Sequence, residues 1–279
     1  MITILKIVLI ITLTVYYVYA QYGPTKGCGQ LLTDPAAVVT KNGWVAMVYR
    51  KDQTDVKKDP IDNKCLASII KDNWLVGAAS CFTLKDDQYM VKIPNNMTKG
   101  PFHVDKIYKS KEYNPTLGAG YDLALIKLKN GLQLKVNPKI ISAICLSDYG
   151  FDSAINVNSN CSLDSCDTPG HLISEQIVTK DEGDCKKLYP KYKEGYMFCG
   201  NIPVHWLNSG APVTCKDSNL QDKGPFFLSA MASWGRYPDD YKKVKDIDKA
   251  DVYTKLYGKH YISWIQKTIE EDESHSLNL

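Results

Sequence analysis

Nine cysteines and five histidines are the residues of this chain whose chemistry can be weighed first from type and spacing. Cysteines interleaved with histidines at short intervals hold zinc, whereas cysteines in an oxidising compartment pair with one another. No Cys-x-x-Cys occurs, and the nearest pair, Cys161 and Cys166, lacks the paired histidines of a zinc ligand set. No metal site and no cofactor are therefore expected, and disulfides are. An odd count leaves one thiol over.

The N-terminal stretch sets the compartment. Residues 1–20, MITILKIVLIITLTVYYVYA, are apolar apart from Lys6 and a few threonines and tyrosines, with Val18 and Ala20 small ahead of Gln21. That pattern predicts a cleaved secretory signal peptide. A transmembrane anchor is the rival, but it needs about 20 apolar residues and basic flanks. The expected mature protein is secreted and extracellular, with no membrane association after cleavage. Disulfides are then the default for Cys28, Cys65, Cys81, Cys145, Cys161, Cys166, Cys185, Cys199 and Cys215. Asn96-Met97-Thr98 is a glycosylation sequon in a polar, turn-like stretch, and Asn160-Cys161-Ser162 is a poorer one.

The net charge is +3, 44% of residues are hydrophobic, and the basic residues are lysines except Arg50 and Arg236. This composition excludes a disordered tail protein, and the scarcity of bidentate arginines argues against a nucleic-acid partner. A local cluster, Lys186, Lys187, Lys191 and Lys193, is a candidate for attracting polyanions such as glycosaminoglycans.

The elements that must position any site read as strands. Short apolar runs (Trp44–Val48, Leu66–Ile70, Trp74–Ala79, Leu123–Leu128, Ile140–Cys145, Phe226–Ala232) are bounded by Gly, Asn, Asp or Lys-rich turns, which predicts an all-β barrel or sandwich. Leu123–Leu128 is apolar almost throughout and should be buried on both faces. Only the end reads as helix, from His260 to Glu271, where Ile262, Ile265 and Ile269 share one face. Glu270–Leu279 are polar and expected to fray.

Several blocks then fall into one order. Gly43-Trp44-Val45-Ala46-Met47-Val48, the span Cys65–Cys81 ending Gly77-Ala78-Ala79-Ser80-Cys81, Tyr121-Asp122-Leu123-Ala124-Leu125, Asn208-Ser209-Gly210-Ala211-Pro212, Ser233-Trp234-Gly235 and Val252-Tyr253-Thr254-Lys255 resemble the successive blocks of the chymotrypsin/trypsin-like serine proteases. The resemblance runs from Cys28 to about Lys267. It implies an all-β fold of two six-stranded antiparallel barrels with a C-terminal helix. The organisation it implies is a signal peptide 1–20, a disulfide-tethered segment 21–43, a peptidase-like domain 44–270 and a flexible tail 271–279.

The chemistry the family performs needs an imidazole to take the serine proton and return it to the leaving amine. Where the family carries that histidine, this chain resembles it in every neighbour but has Ser80; Asp122 and Ser209 stand at the aspartate and nucleophile positions. A hydroxyl is no general base near neutral pH. His205 stands where the family has a disulfide cysteine, remote from the missing base. Two residues before Ser209, the glycine that shapes the oxyanion hole is replaced by Leu207, and Asn208 replaces the aspartate that pairs with a newly cut N-terminus. Pro203 stands at the pocket base, six residues before Ser209, while Ser233-Trp234-Gly235 keeps an edge along which a peptide can pair. The degenerate triad is thus Ser80, Asp122 and Ser209, and the remodelled pocket is Pro203, His205, Ser233, Trp234 and Gly235.

By the same resemblance the cysteines pair Cys28–Cys145, Cys65–Cys81, Cys161–Cys215 and Cys185–Cys199. Cys166 is left unpaired, either a buried inert thiol or the half of a disulfide to another chain. The leading expectation is a secreted, inactive serine protease homologue of the kind common in arthropods. Its role would be that of a cofactor, decoy or adaptor for extracellular proteins, among them active proteases or their substrates, in reproductive fluid or haemolymph immunity. Two alternatives stand beside it: a weakly active serine hydrolase using Ser209 with a non-standard base, and a ligand-binding scaffold.

Overall fold

The computed structural model describes residues 28–31, 42–53, 64–94, 101–114, 121–135, 141–146, 161–166, 172–189, 191–202, 209–216, 225–234, 251–256 and 259–276. The first of its two sheets is a closed barrel. Its strands are β1 (Val45–Arg50), β2 (Lys64–Lys71), β3 (Trp74–Gly77), β4 (Tyr89–Lys92), β5 (Phe102–Lys109) and β6 (Ala124–Leu128), joined in the order β1-β2-β3-β6-β5-β4, with β4 pairing back to β1. Ala46, Val48, Ile69, Leu75, Val91, Val104 and Ile126 belong to the cluster that fills it.

The continuous apolarity of β3 and β6 follows from where their two faces go. Leu75 and Ile126 join that barrel's core, whereas Trp74, Val76, Leu123 and Leu125 join a second core shared with the other sheet. A strand buried on both sides has no polar face to show. The exception in β6 is Lys127, whose charge is met from outside the barrel, as described below.

The second sheet contains β7 (Cys145–Leu146), β8 (Cys161–Cys166), β9 (Leu172–Gln176), β10 (Met197–Gly200), β11 (Pro212–Lys216), β12 (Phe226–Trp234) and β13 (Asp251–Lys255). Its path is β10-β13-β12-β11-β8-β9, with the short β7 parallel to β12. Where the resemblance implies a second barrel, the two ends meet, among the described residues, through single contacts and not a full ladder. Thr179 bridges Gly200, and Lys180 N–H donates to Cys199 O at 2.8 Å. Between β9 and β10 lies helix α1 (Glu182–Leu188), whose N-cap Asp181 accepts from Gly183 N–H at 2.7 Å.

Four disulfides fasten this frame: Cys28–Cys145, Cys65–Cys81, Cys161–Cys215 and Cys185–Cys199. They are the pairs named above. Cys185–Cys199 ties α1 to β10, and Cys161–Cys215 joins neighbouring strands β8 and β11.

The terminal helix α2 (Lys259–Ser276) corrects the expectation of a frayed tail from residue 271. Ile265 is buried in the shared core with Ile269 packed against it, and the helix then continues through a polar end that is anchored to the first barrel. Asp272 accepts from Lys127 Nζ and from the Tyr108 hydroxyl, and Glu273 accepts from Lys71 Nζ at 2.6 Å and Trp74 Nε1 at 3.3 Å. Polar residues here are held by partners, not by a hydrophobic stripe. No helix among the described residues is long and apolar enough to cross a membrane. The proposed signal peptide, residues 1–20, lies outside the described residues, as does the sequon at Asn96.

Candidate functional site

Asp122 sits at the entrance to β6 and is wholly buried. The turn that delivers it is unusual, because Tyr121 takes a left-handed φ of 68°. A non-glycine residue in that region costs on the order of 1 kcal/mol and persists where surroundings hold it. Those surroundings are aromatic: the Tyr121 ring lies 4.7 Å from that of Tyr196 and 6.0 Å from that of Tyr261 on α2.

Three hydroxyl or amide groups converge on the carboxylate. Ser80, in the single 3-10 turn Ala79–Cys81 after β3, donates its backbone N–H to Oδ1 at 2.7 Å and its Oγ–H to Oδ2 at 2.9 Å. Ser233, near the end of β12, donates Oγ–H to the same Oδ2 at 2.6 Å. Burial pushes the Asp122 carboxyl above its ordinary pKa, and these hydrogen bonds pull against that rise. Ser80 itself is exposed, so a small hydroxyl caps a buried acid at the surface.

Ser209 stands in the turn that leads to β11. Its carbonyl accepts from Leu66 N–H at 2.9 Å, and Gly210 N–H donates to Ala232 O at 2.7 Å. Gly210 has φ of +84°, and a Cβ there would meet Leu66 O at 2.0 Å. Only glycine permits so close a strand crossing. The Ser209 hydroxyl donates to Ser233 O at 3.2 Å. Ser233 therefore links the site: its side chain holds Asp122 and its carbonyl holds Ser209.

Ser80, Asp122, Ser209 and Ser233 are thus brought together from both sheets, and the Cys65–Cys81 disulfide closes the turn beside them. No imidazole touches either serine among the described residues. Of the described histidine side chains, His103 lies on β5 and His275 contacts Glu271 O on its own helix at 2.5 Å. Trp234 ends β12 with its ring edge-on to Tyr189 at 5.0 Å, and its indole N–H is buried without a partner among the described residues. Pro203, His205, Leu207, Asn208 and Gly235 lie outside the described residues, as does the side chain of Cys166. Among the described residues, no group of three or more His, Cys, Asp or Glu could hold a metal ion.

The trypsin family model matches residues 33–265, across both sheets and into the terminal helix. The chain belongs to the trypsin family. Trypsin-4 of Rattus norvegicus is 27% identical over 228 residues, covering 76% of this chain and 82% of its own. Serine protease 1 of the same species is 26% identical over 218 residues, covering 74% and 80%. Trypsin-3 of Homo sapiens is 26% identical over 215 residues, covering 74% and 64%. Within this trypsin-family frame the site gathers a buried carboxylate, two exposed or half-exposed serines and a carbonyl that already engages one of them.

One buried acid had no counterpart in the sequence reading. Asp164 on β8 accepts from Asn42 Nδ2 at 2.6 Å, Trp44 Nε1 at 3.1 Å, Ser174 Oγ at 2.8 Å and Thr214 Oγ1 at 3.3 Å. Burial nonetheless pushes its pKa up to about 6. It latches the strand-entry segment of the first barrel to the second sheet. The only local signal is an acid in the middle of the strand Cys161–Cys166, with nothing to show which way it faces.

The lysine cluster around α1 is interleaved with acids. Lys186 pairs with Glu194 at 2.5 Å, Lys187 with Asp184 at 3.0 Å, and the Lys193 ammonium lies 5.4 Å from the Tyr121 ring centre. Lys186 and Lys187 thus face carboxylates at the surface.

Proposed function

We propose that this trypsin-family chain is a secreted protein that does not cleave peptide bonds and acts outside the cell by binding other proteins, as a cofactor, decoy or adaptor. The observation that carries the reading is the hydrogen bonding of the two serines. Ser80 occupies the carboxylate that an imidazole would use, and the Ser209 hydroxyl donates a hydrogen bond to the Ser233 carbonyl, which is far too weak a base to take its proton. In this reading Ser80 replaces the family's histidine. Loss of the base costs on the order of 10⁶ in turnover, roughly 8 kcal/mol of barrier.

Leu207 and Asn208 support the same conclusion, because they remove the oxyanion-hole glycine and the acid that answers activation cleavage. Four disulfides suit an oxidising compartment, in keeping with secretion and with cleavage after Ala20. Cys166 would then be available for a covalent partner, and Asn96 for a glycan. A rigid two-sheet body with its site disabled serves as a binding scaffold, since fold and activity are separable.

Digestion of a quenched fluorescent peptide library by micromolar protein tests this. Turnover should not exceed that of Ser209→Ala. Cleavage that Ser209→Ala abolishes would instead establish the weak-hydrolase reading.

A further inference from the structure

Between β5 and α2 runs a groove of about 380 Å³, within the usual size range of small-molecule sites. Two aromatic rings, Tyr108 and Trp264, and three lysines, Lys106, Lys109 and Lys111, line it. Its acids are already answered. Asp272 is bound by Lys127 and Tyr108, and Glu271 faces Lys267 at 3.7 Å.

The three lysines are not answered. Among the described residues none of them pairs with a carboxylate. The Lys106 ammonium lies 4.5 Å from the centre of the Tyr108 ring, and Lys109 Nζ donates to the Phe82 carbonyl, which leaves N–H groups to spare. Three lysines against two carboxylates that are already engaged leave the lining net positive, which raises the local potential and draws an anion. This differs from the α1 cluster, in which Lys186 and Lys187 face Glu194 and Asp184.

The kind of anion follows from what the groove lacks. β5 pairs β6 from Val104 to Lys109, its other edge is taken by β4 at Phe102 and His103 and by Asp86, which accepts from Ile107 N–H at 3.1 Å, and α2 is a continuous helix. No main-chain edge is offered to a peptide, which would forgo strand pairing. Lysine ammoniums are point charges with little directional demand, suited to sulfates spaced along a chain. Aromatic faces suit the C–H faces of sugar rings.

We propose that this groove binds a sulfated oligosaccharide segment, with sulfates on Lys106 and Lys111 and a sugar ring against Tyr108 and Trp264. The test is calorimetric titration of the full chain with a sulfated glycosaminoglycan hexasaccharide at two salt concentrations. The wild type should bind, more weakly at higher salt. The double variant Lys106→Gln/Lys111→Gln should lose about tenfold in affinity with unchanged thermal melting. The double variant Lys186→Gln/Lys187→Gln should bind as wild type.

Absence of wild-type binding, or equal loss in the α1 variant, would overturn the proposal. So would equal binding of the desulfated hexasaccharide. An acidic peptide of matched charge that binds as tightly, and is lost in the same groove variant, would replace the oligosaccharide with a peptide ligand.

Discussion

Replacing Asp164 by asparagine should flatten one pH dependence of stability while leaving the fold intact at neutral pH. In the native protein burial raises this carboxyl from its ordinary 3.8 to about 6. The folded state therefore holds the proton more tightly than the unfolded chain, so protonation favours folding. The resulting stability is fully present below about pH 4 and is lost as pH rises through about 6. Between pH 7 and pH 5 the group contributes about 1 kcal/mol in favour of the more acidic condition. An asparagine titrates nowhere in this range. It can keep its oxygen toward the Trp44 indole and Thr214, and its amide toward Asn42 and Ser174, whose amide and hydroxyl can turn to accept. Asp164→Asn should thus lie within about 1 kcal/mol of wild type at pH 7. Asp164→Ala strands all four donors and should cost about 3 kcal/mol or more. Urea unfolding followed by tryptophan fluorescence, with disulfides intact, measures each difference at pH 7 and pH 5. Asp122 shifts in the same direction in both proteins and cancels in the comparison. A wild-type minus Asp164→Asn difference that stays constant between the two pH values, or that falls on acidification, would refute this reasoning.

Further outcomes are expected. Asp272→Asn should destabilise by about 2 kcal/mol in urea unfolding, because its partner Lys127 is only 16% exposed; Lys71→Ala should cost under about 1 kcal/mol, since its pair with Glu273 is 45% and 43% exposed. Gly210→Ala should fail to fold or lose about 3 kcal/mol, measured by soluble yield and melting, as the added Cβ meets the Leu66 carbonyl at 2.0 Å in a left-handed backbone. Ser80→His alone should not restore peptide cleavage in a fluorogenic assay, because Leu207 and Asn208 still stand before the nucleophile; brisk turnover by that variant would contradict this.

Why some of this was legible in the sequence and some not is a matter of where each residue's partners lie. The run Leu123–Leu128 announces burial on two faces, and β6 does lie between the barrel core and the core shared by the two sheets. Ser209 and Gly210 are recognisable through the resemblance of Asn208-Ser209-Gly210-Ala211-Pro212 to the family's nucleophile block. The end of α2 was not legible. Its polar residues carry no hydrophobic period, and their partners Lys71, Trp74, Tyr108 and Lys127 come from strands far away in sequence. Asp164 was missed for the same reason: its donors come from positions 42, 44, 174 and 214. The partners of the α1 lysines were not legible either, because a run of like charge hides whether acids such as Glu194 fold back onto it. Ser233 was legible as an edge strand, but its double contact with Asp122 and Ser209 needed the two sheets assembled.

The central claim is that Ser209 has no base to activate it. Intact-mass measurement of the protein incubated with a fluorophosphonate, compared with Ser209→Ala and with an active trypsin, tests it most directly. The account predicts no adduct on this chain under conditions that label the trypsin completely. Stoichiometric labelling that maps to Ser209 and disappears in Ser209→Ala would contradict it.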